Sequence, residues 1–166
     1  MPSIQTHIII NAPPASVRRV FFDYESYKDW NPFFVNWRKS THQQTAQLHV
    51  GDELQIEMKL KGMNHTSTMY PTVLQVDEDK LVWQGCLISS WIFYGVHTFE
   101  IEPLDDGGAR TVFGQSEEFG GLLVYVLQVL GVFRKTEESF KLFNEALKDR
   151  VENLDAPSAV HAQESK

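Results

Sequence analysis

Apolar and polar positions follow two different periods along this chain. A β-rich run, Ile4 to Ile10, comes first and is ended by Asn11-Ala12-Pro13-Pro14. Val17, Val20, Phe21 and Tyr24 then recur at helical spacing behind a proline, a residue favoured in a first helical turn. Pro14 to Asp23 therefore reads as a helix. Ser26 is placed to cap a second short helix, Tyr27 to Trp30. Asn31-Pro32 stops it, because the residue before a proline avoids helical backbone. From Phe33 to Glu118 the period is two. Leu54, Ile56, Met58 and Leu60 alternate with Gln55, Glu57, Lys59 and Lys61, the signature of a half-buried strand. Thr66 to Val76 reads as one longer strand, with Pro71 implying an edge position or a bulge. Leu81 to Ile88 follows the turn Asp77-Glu78-Asp79-Lys80. Trp91 to Glu102 and Ala109 to Glu118 form a hairpin around Asp106-Gly107. Gly120-Gly121 ends the last strand, and one long helix is expected from Leu122 to Asn153. Phe133, Phe140, Phe143, Leu147 and Val151 lie along one stripe of its second half.

The order is strand, two short helices, about six strands, long helix. That is an α+β chain with a curved antiparallel sheet of about seven strands. Such a sheet cannot bury a face by itself, and the long C-terminal helix supplies the cover. A strongly curved sheet gripping a helix leaves room between the two, so an internal hydrophobic cavity is expected. Residues 1–154 are expected to form a single ligand-binding domain, and the small, polar residues 155–166 a disordered tail.

Composition narrows the partners. Of 166 residues 42% are apolar, with eleven Phe, five Tyr and four Trp, rings that serve equally to fill a core or to line a cavity. A net charge of −7 argues against nucleic acid or an anionic membrane as the main partner, since both call for basic patches. The longest apolar stretch, Phe119 to Phe133, is broken only by Gln128 and is too short to span a bilayer. No integral membrane association is expected. The single Cys86 excludes an internal disulfide and fits a reducing compartment. With no basic-then-apolar pattern at the N-terminus, the expected location is cytoplasmic. The six histidines are scattered without paired ligand spacing and there is no phosphate loop, so neither a metal nor a nucleotide cofactor is expected.

Strand alternation assigns the faces. In the hairpin, Phe93, Gly95, His97, Phe99 and Ile101 point inward, as do Thr111, Phe113, Gln115, Glu117 and Phe119. Three polar side chains thus stand on an otherwise apolar wall: His97, Gln115 and Glu117. A turn centred near Asp106 sets His97 opposite either Gln115 or Glu117, the other being a diagonal neighbour. A His97–Glu117 contact is expected in both registers. Three roles are open for the trio. They orient a ligand's hydroxyl or carbonyl, they satisfy one another, or His97 and Glu117 work as an acid/base pair whose pKa values burial displaces. Candidate ligand contacts are Gln115, Phe93, Phe99, Phe113, Trp83, Trp91, Met58, Tyr125, Phe33 and Trp30, and for Trp83 core packing is the stronger reading. Gly120-Gly121 and Gly131 bracket a segment that serves either as a hinge or as a plain strand-to-helix turn.

The residues also carry a resemblance. Ile10-Asn11-Ala12-Pro13, Trp30-Asn31-Pro32-Phe33, Leu81-Val82-Trp83-Gln84-Gly85, His97-Thr98-Phe99-Glu100, Glu117-Glu118-Phe119-Gly120-Gly121 and Asn144-Glu145-Ala146-Leu147-Lys148, in that order over Ile4 to Glu152, resemble the START / polyketide-cyclase superfamily, SRPBCC. The resemblance implies a helix-grip fold around a deep hydrophobic cavity. It implies no catalytic residue, because that superfamily has no universal catalytic motif. Three functions stand side by side. One is binding of a small hydrophobic molecule such as a lipid, sterol, polyketide or other aromatic metabolite. The second is a cofactor-free cyclase, dehydratase or isomerase using His97 and Glu117. The third is a protein-interaction or dimerisation domain, the chain being a monomer or a homodimer, with Leu122 to Phe133 as the contact.

Overall fold

The computed structural model describes residues 1–40, 47–87, 89–105 and 107–155. Ile88, Asp106 and residues 156–166, nearly all of the expected tail, lie outside the described residues. The elements are β1 (Ser3–Ile10), α1 (Pro14–Phe21), a 3-10 turn (Tyr24–Ser26), α2 (Tyr27–Trp30), β2 (Phe34–Lys39), β3 (Leu54–Met58), β4 (Ser67–Met69), β5 (Thr72–Val76), β6 (Lys80–Cys86), β7 (Tyr94–Pro103), β8 (Thr111–Gly120), α3 (Val124–Val129) and α4 (Val132–Asp155). Five strands form one antiparallel sheet in the order β1-β8-β7-β6-β5, and three form a second in the order β2-β3-β4.

Among the described residues the strand count is eight, because Pro71 divides the expected strand Thr66 to Val76 in two. Proline has no N–H for a ladder, and pairing changes there: β4 pairs with β3, whereas β5 pairs with β6. The two sheets stay joined at this corner. Leu54 N–H donates to the Pro71 carbonyl (2.9 Å), and Val73 N–H to that of Asp52 (2.8 Å).

The long helix is likewise two helices. Gly131 takes φ +70°, which ends α3 before α4 begins. Gly121, where β8 hands over to α3, takes φ +98°. A Cβ there would lie 2.6 Å from the Ile92 carbonyl oxygen and 2.8 Å from Phe93 Cα. Both the dihedral and the space demand glycine. Gly121→Ala is expected to lower the unfolding free energy by about 2 kcal/mol. Urea melts would check this, and an unchanged midpoint would contradict it.

Helix α4 covers the inner face. Phe140, Phe143, Leu147 and Val151 are fully buried. Its polar flank ties to the chain's first residues, where Lys148 Nζ donates to the Ile9 carbonyl (2.7 Å) and Asn11 N–H to Glu152 Oε1 (2.8 Å). The core is largely aromatic. Phe143 has ring centroids of Phe34, Phe113, Tyr27, Phe99 and Trp30 within 5.5–6.2 Å.

Candidate functional site

The inner face of the five-stranded sheet is laid out in rows by its register. Leu81, Phe99, Gln115 and Thr6 form one row across β6, β7, β8 and β1. The next holds Trp83, His97, Glu117 and Ile4, and beyond it lie Gly85, Gly95 and Phe119. His97 and Glu117 are therefore direct cross-strand partners, yet their side chains part. His97 Nε2 lies 3.2 Å from Gln115 Oε1. The Glu117 side chain instead lies over the backbone of Gly95, where an added Cβ would meet its Oε1 at 2.3 Å. Gly95 has no side chain to hold that space, so the carboxyl takes it. The expected His97–Glu117 contact is replaced by these two separate arrangements.

His97 belongs to a closed polar chain. Gln115 Nε2 donates to Asn144 Oδ1 (2.5 Å) and to the Phe140 carbonyl (3.3 Å), and Asn144 Nδ2 donates to Thr6 Oγ1 (3.2 Å). With its amide nitrogen so engaged, Gln115 presents only an acceptor to His97, whose Nε2 must then carry the proton. The imidazole is stacked between Phe99 (4.1 Å) and Phe140 (4.5 Å) and is 2% exposed. Burial pulls its pKa down to about 3, against the smaller upward pull of the Gln115 hydrogen bond. A group held neutral this firmly is a poor proton shuttle at neutral pH. Its geometry is that of a group satisfied within a polar chain.

Glu117 is the opposite case. It is half-buried and makes no hydrogen bond or ion pair among the described residues. Desolvation pushes its pKa up to about 8. Next to it Phe119 stacks on Phe133 (4.3 Å) and Phe93 (5.9 Å), and the adjacent pair Gly85–Gly95 offers no side chains. Phe93, Phe133, Met58, Leu60 and Met69 pack against the core while remaining partly accessible. The inner face is thus sealed around His97, whereas Phe93 and Phe133, next to Phe119 at the Glu117 end, stay partly accessible. Protonated, the carboxyl can donate to a carbonyl or hydroxyl; ionised, it can take a proton.

The other expected contacts divide in the same way. Trp83, Phe99, Phe113 and Phe33 are enclosed within ring packing and serve the core. Phe93, Met58 and Trp30 sit on its accessible margin. Trp91 and Tyr125 do not line the interior at all: they are 67% and 75% exposed. Trp91 lies before the start of β7, and Tyr125 is on the outer side of α3, because the break at Gly131 turns that helix away from the α4 stripe. Asn144 and Thr6 are not among the expected site residues, although the sequence carries a signal for both. Each is a polar residue on an apolar stripe, Asn144 one turn after Phe140 and Thr6 within Ile4-Thr6-Ile8-Ile10. Among the described residues no group of His, Cys, Asp or Glu is arranged to hold a metal ion, and no helix is long and apolar enough to cross a membrane.

Comparison with known proteins places these features. The family described as polyketide cyclase / dehydrase and lipid transport matches residues 1–156. No curated protein sequence matches the chain. Among solved structures, a START superfamily protein from Mycobacterium smegmatis superposes with TM-score 0.70 at 16% identity, over 92% of this chain and 98% of that one. ZhuI aromatase/cyclase from a Streptomyces species gives 0.68 at 13%, over 97% and 99%. Norcoclaurine synthase from Thalictrum flavum, in complex with dopamine and hydroxybenzaldehyde, gives 0.66 at 14%, over 95% and 88%. At such identities the likeness is one of fold.

Proposed function

Because this chain belongs to the polyketide cyclase / dehydrase and lipid transport family, we propose that it holds a small, mainly apolar molecule bearing one carbonyl or hydroxyl group at the Glu117 end of the inner face. The observation that carries this reading is the unpartnered carboxyl of Glu117 on an apolar wall, beside two glycines and the Phe93–Phe119–Phe133 stack. A polar group left without a partner in such surroundings is unfavourable by about 1–3 kcal/mol, which a ligand's polar atom would recover. At neutral pH the carboxyl is mostly protonated and donates, so affinity for an acceptor group falls as pH rises through about 8.

A second reading has its own support. A carboxyl whose pKa lies near neutrality is poised for general acid or base catalysis, and two of the fold relatives are enzymes by name, an aromatase/cyclase and a norcoclaurine synthase. In that case Glu117 alone moves the proton, and the His97–Gln115–Asn144–Thr6 chain keeps the neighbouring wall rigid.

Native mass spectrometry of protein from its own cells identifies any bound companion, which then serves as the probe. Glu117→Leu is expected to weaken its binding about tenfold, the loss of one buried hydrogen bond, while Glu117→Gln keeps most of the affinity through its amide N–H. Under the catalytic reading Glu117→Gln also abolishes turnover. Affinity for the companion unmoved by Glu117→Leu would overturn the site.

A further inference from the structure

Two segments that the fold brings side by side carry no charge. The segments 86–93 and 119–133, eight and fifteen residues long, contain no Asp, Glu, Lys or Arg, in a chain that has 37. The fold joins them, for Leu122 N–H donates to the Trp91 carbonyl (3.2 Å) and Leu123 N–H to that of Ile92 (3.0 Å). The joined surface presents Leu87, Trp91, Leu122, Tyr125, Val126, Val129 and Leu130 to solvent, with Val129 87% exposed. Leu122, Tyr125, Val126 and Val129 have the i, i+3, i+4, i+7 spacing that normally faces a core, yet here that stripe faces out. The other side of α3 is apolar too, with Val124 buried. A helix apolar on both sides, next to an exposed tryptophan and tyrosine, is built for an apolar phase. A protein partner would be met by a polar rim with hydrogen bonds, and the tip supplies little of one.

From this we infer that the α3 tip, with Trp91 and Leu87, seats on the surface of a lipid bilayer, its apolar side chains below the headgroups and Arg134 and Lys135, the first charged residues after it, at headgroup level. The net charge of −7 means that apolar burial drives the contact rather than attraction to anionic lipid. The tip follows β8 within a few residues of Glu117, so docking sets that end of the inner face against the bilayer. That purpose rests on the reading of the Glu117 end as an apolar-ligand site, whereas the docking itself needs no ligand.

The test uses the full chain with zwitterionic phosphatidylcholine vesicles. Wild-type protein is expected to float with them, and its tryptophan emission to shift to the blue, a shift lost in Trp91→Phe. The double substitution Leu122→Glu with Val129→Glu is expected to lower vesicle partition about tenfold or more. Both positions are exposed, so circular dichroism and the melting temperature stay at wild-type values. Wild-type protein that remains in solution, or a double variant that binds as well as wild type, would overturn the inference. So would light scattering that finds a stable dimer dissolved by the double substitution without vesicle binding. The two readings separate cleanly: Glu117→Leu leaves flotation intact, and the double variant keeps its small-molecule affinity in solution.

Discussion

Stability against urea is expected to be level between about pH 4.5 and 6.5 and to fall on both sides. Two buried groups with oppositely displaced pKa values produce this shape. His97 has a pKa of about 3 in the folded chain and near 6.5 when unfolded, so below 6.5 the unfolded state binds the extra proton and stability drops as pH falls. Glu117 has a pKa of about 8 folded and near 4.5 unfolded, so above 4.5 the folded state holds the extra proton and stability drops as pH rises, until about 8. Between 4.5 and 6.5 the two slopes cancel. The limbs approach 1.4 kcal/mol per pH unit for a full single-proton difference. The acid limb totals about 2 kcal/mol by pH 3, over the stretch below pH 4.5 where only His97 acts. Asp52 and Asp77, whose pKa values their hydrogen bonds lower, add to it, since their contribution is present above the unfolded carboxylate pKa and lost below. The alkaline limb is of similar size, about 2 kcal/mol between pH 6.5 and 8. Urea melts across pH check both limbs. Glu117→Gln, which mimics the protonated form, should flatten the alkaline limb and, with nothing left to cancel His97, extend the acid limb up to about pH 6.5. An identical alkaline slope in that variant would show that Glu117 ionises freely in the fold.

Phe143→Ala is expected to lower the unfolding free energy by about 4 kcal/mol, a loss of roughly 10 °C in melting temperature for a domain of this size. The side chain is fully buried and packs against rings from α2, β2, β7 and β8. Those neighbours come from separate elements held by their own ladders, so the site cannot collapse and the cavity term is felt in full. Phe143→Leu, which keeps most of the volume, should lose only about 1.5 kcal/mol. Differential scanning calorimetry of the pair decides this, and near-equal melting temperatures would mean that the rings close over the gap.

Much of this architecture is legible in the residues. Period-two alternation locates β1, β3, β7 and β8, and Tyr27 to Trp30 is found with both bounds. What periodicity does not carry is chain direction at a single glycine. Gly131 sits inside a run broken only by Gln128, and its positive φ is what shows that α3 and α4 are separate. Pro71 is recognisable as a disturbance, but its consequence, a change of sheet, depends on tertiary pairing. For the candidate site, alternation put His97, Gln115 and Glu117 on one wall. It could not choose which polar neighbour each would take. That choice follows from Gly95 leaving room on one side and from Asn144, delivered by a helix far along the chain, fixing Gln115 on the other. The exposure of Trp91 and Tyr125 was hidden for the same reason, since an outward apolar stripe has the same spacing as an inward one.

The pairing of β1 with β8, which sets Ser3 opposite Glu118 and Ile10 opposite Thr111, also governs the order in which the chain can fold as it is made. β1 has no partner until β8 has been made, and the cover on the sheet they complete is unfinished until α4 follows. A nascent chain ending near Gly120 would hold β1 to β8 while His97, Phe99 and Phe113 lack the Phe140 and Phe143 rings that pack on them. Long-range pairing of this kind is slow to form and leaves sticky intermediates. Synthesis of this protein therefore passes through a stage, ended by the arrival of Phe140 and Phe143, at which part of its inner face is open to association.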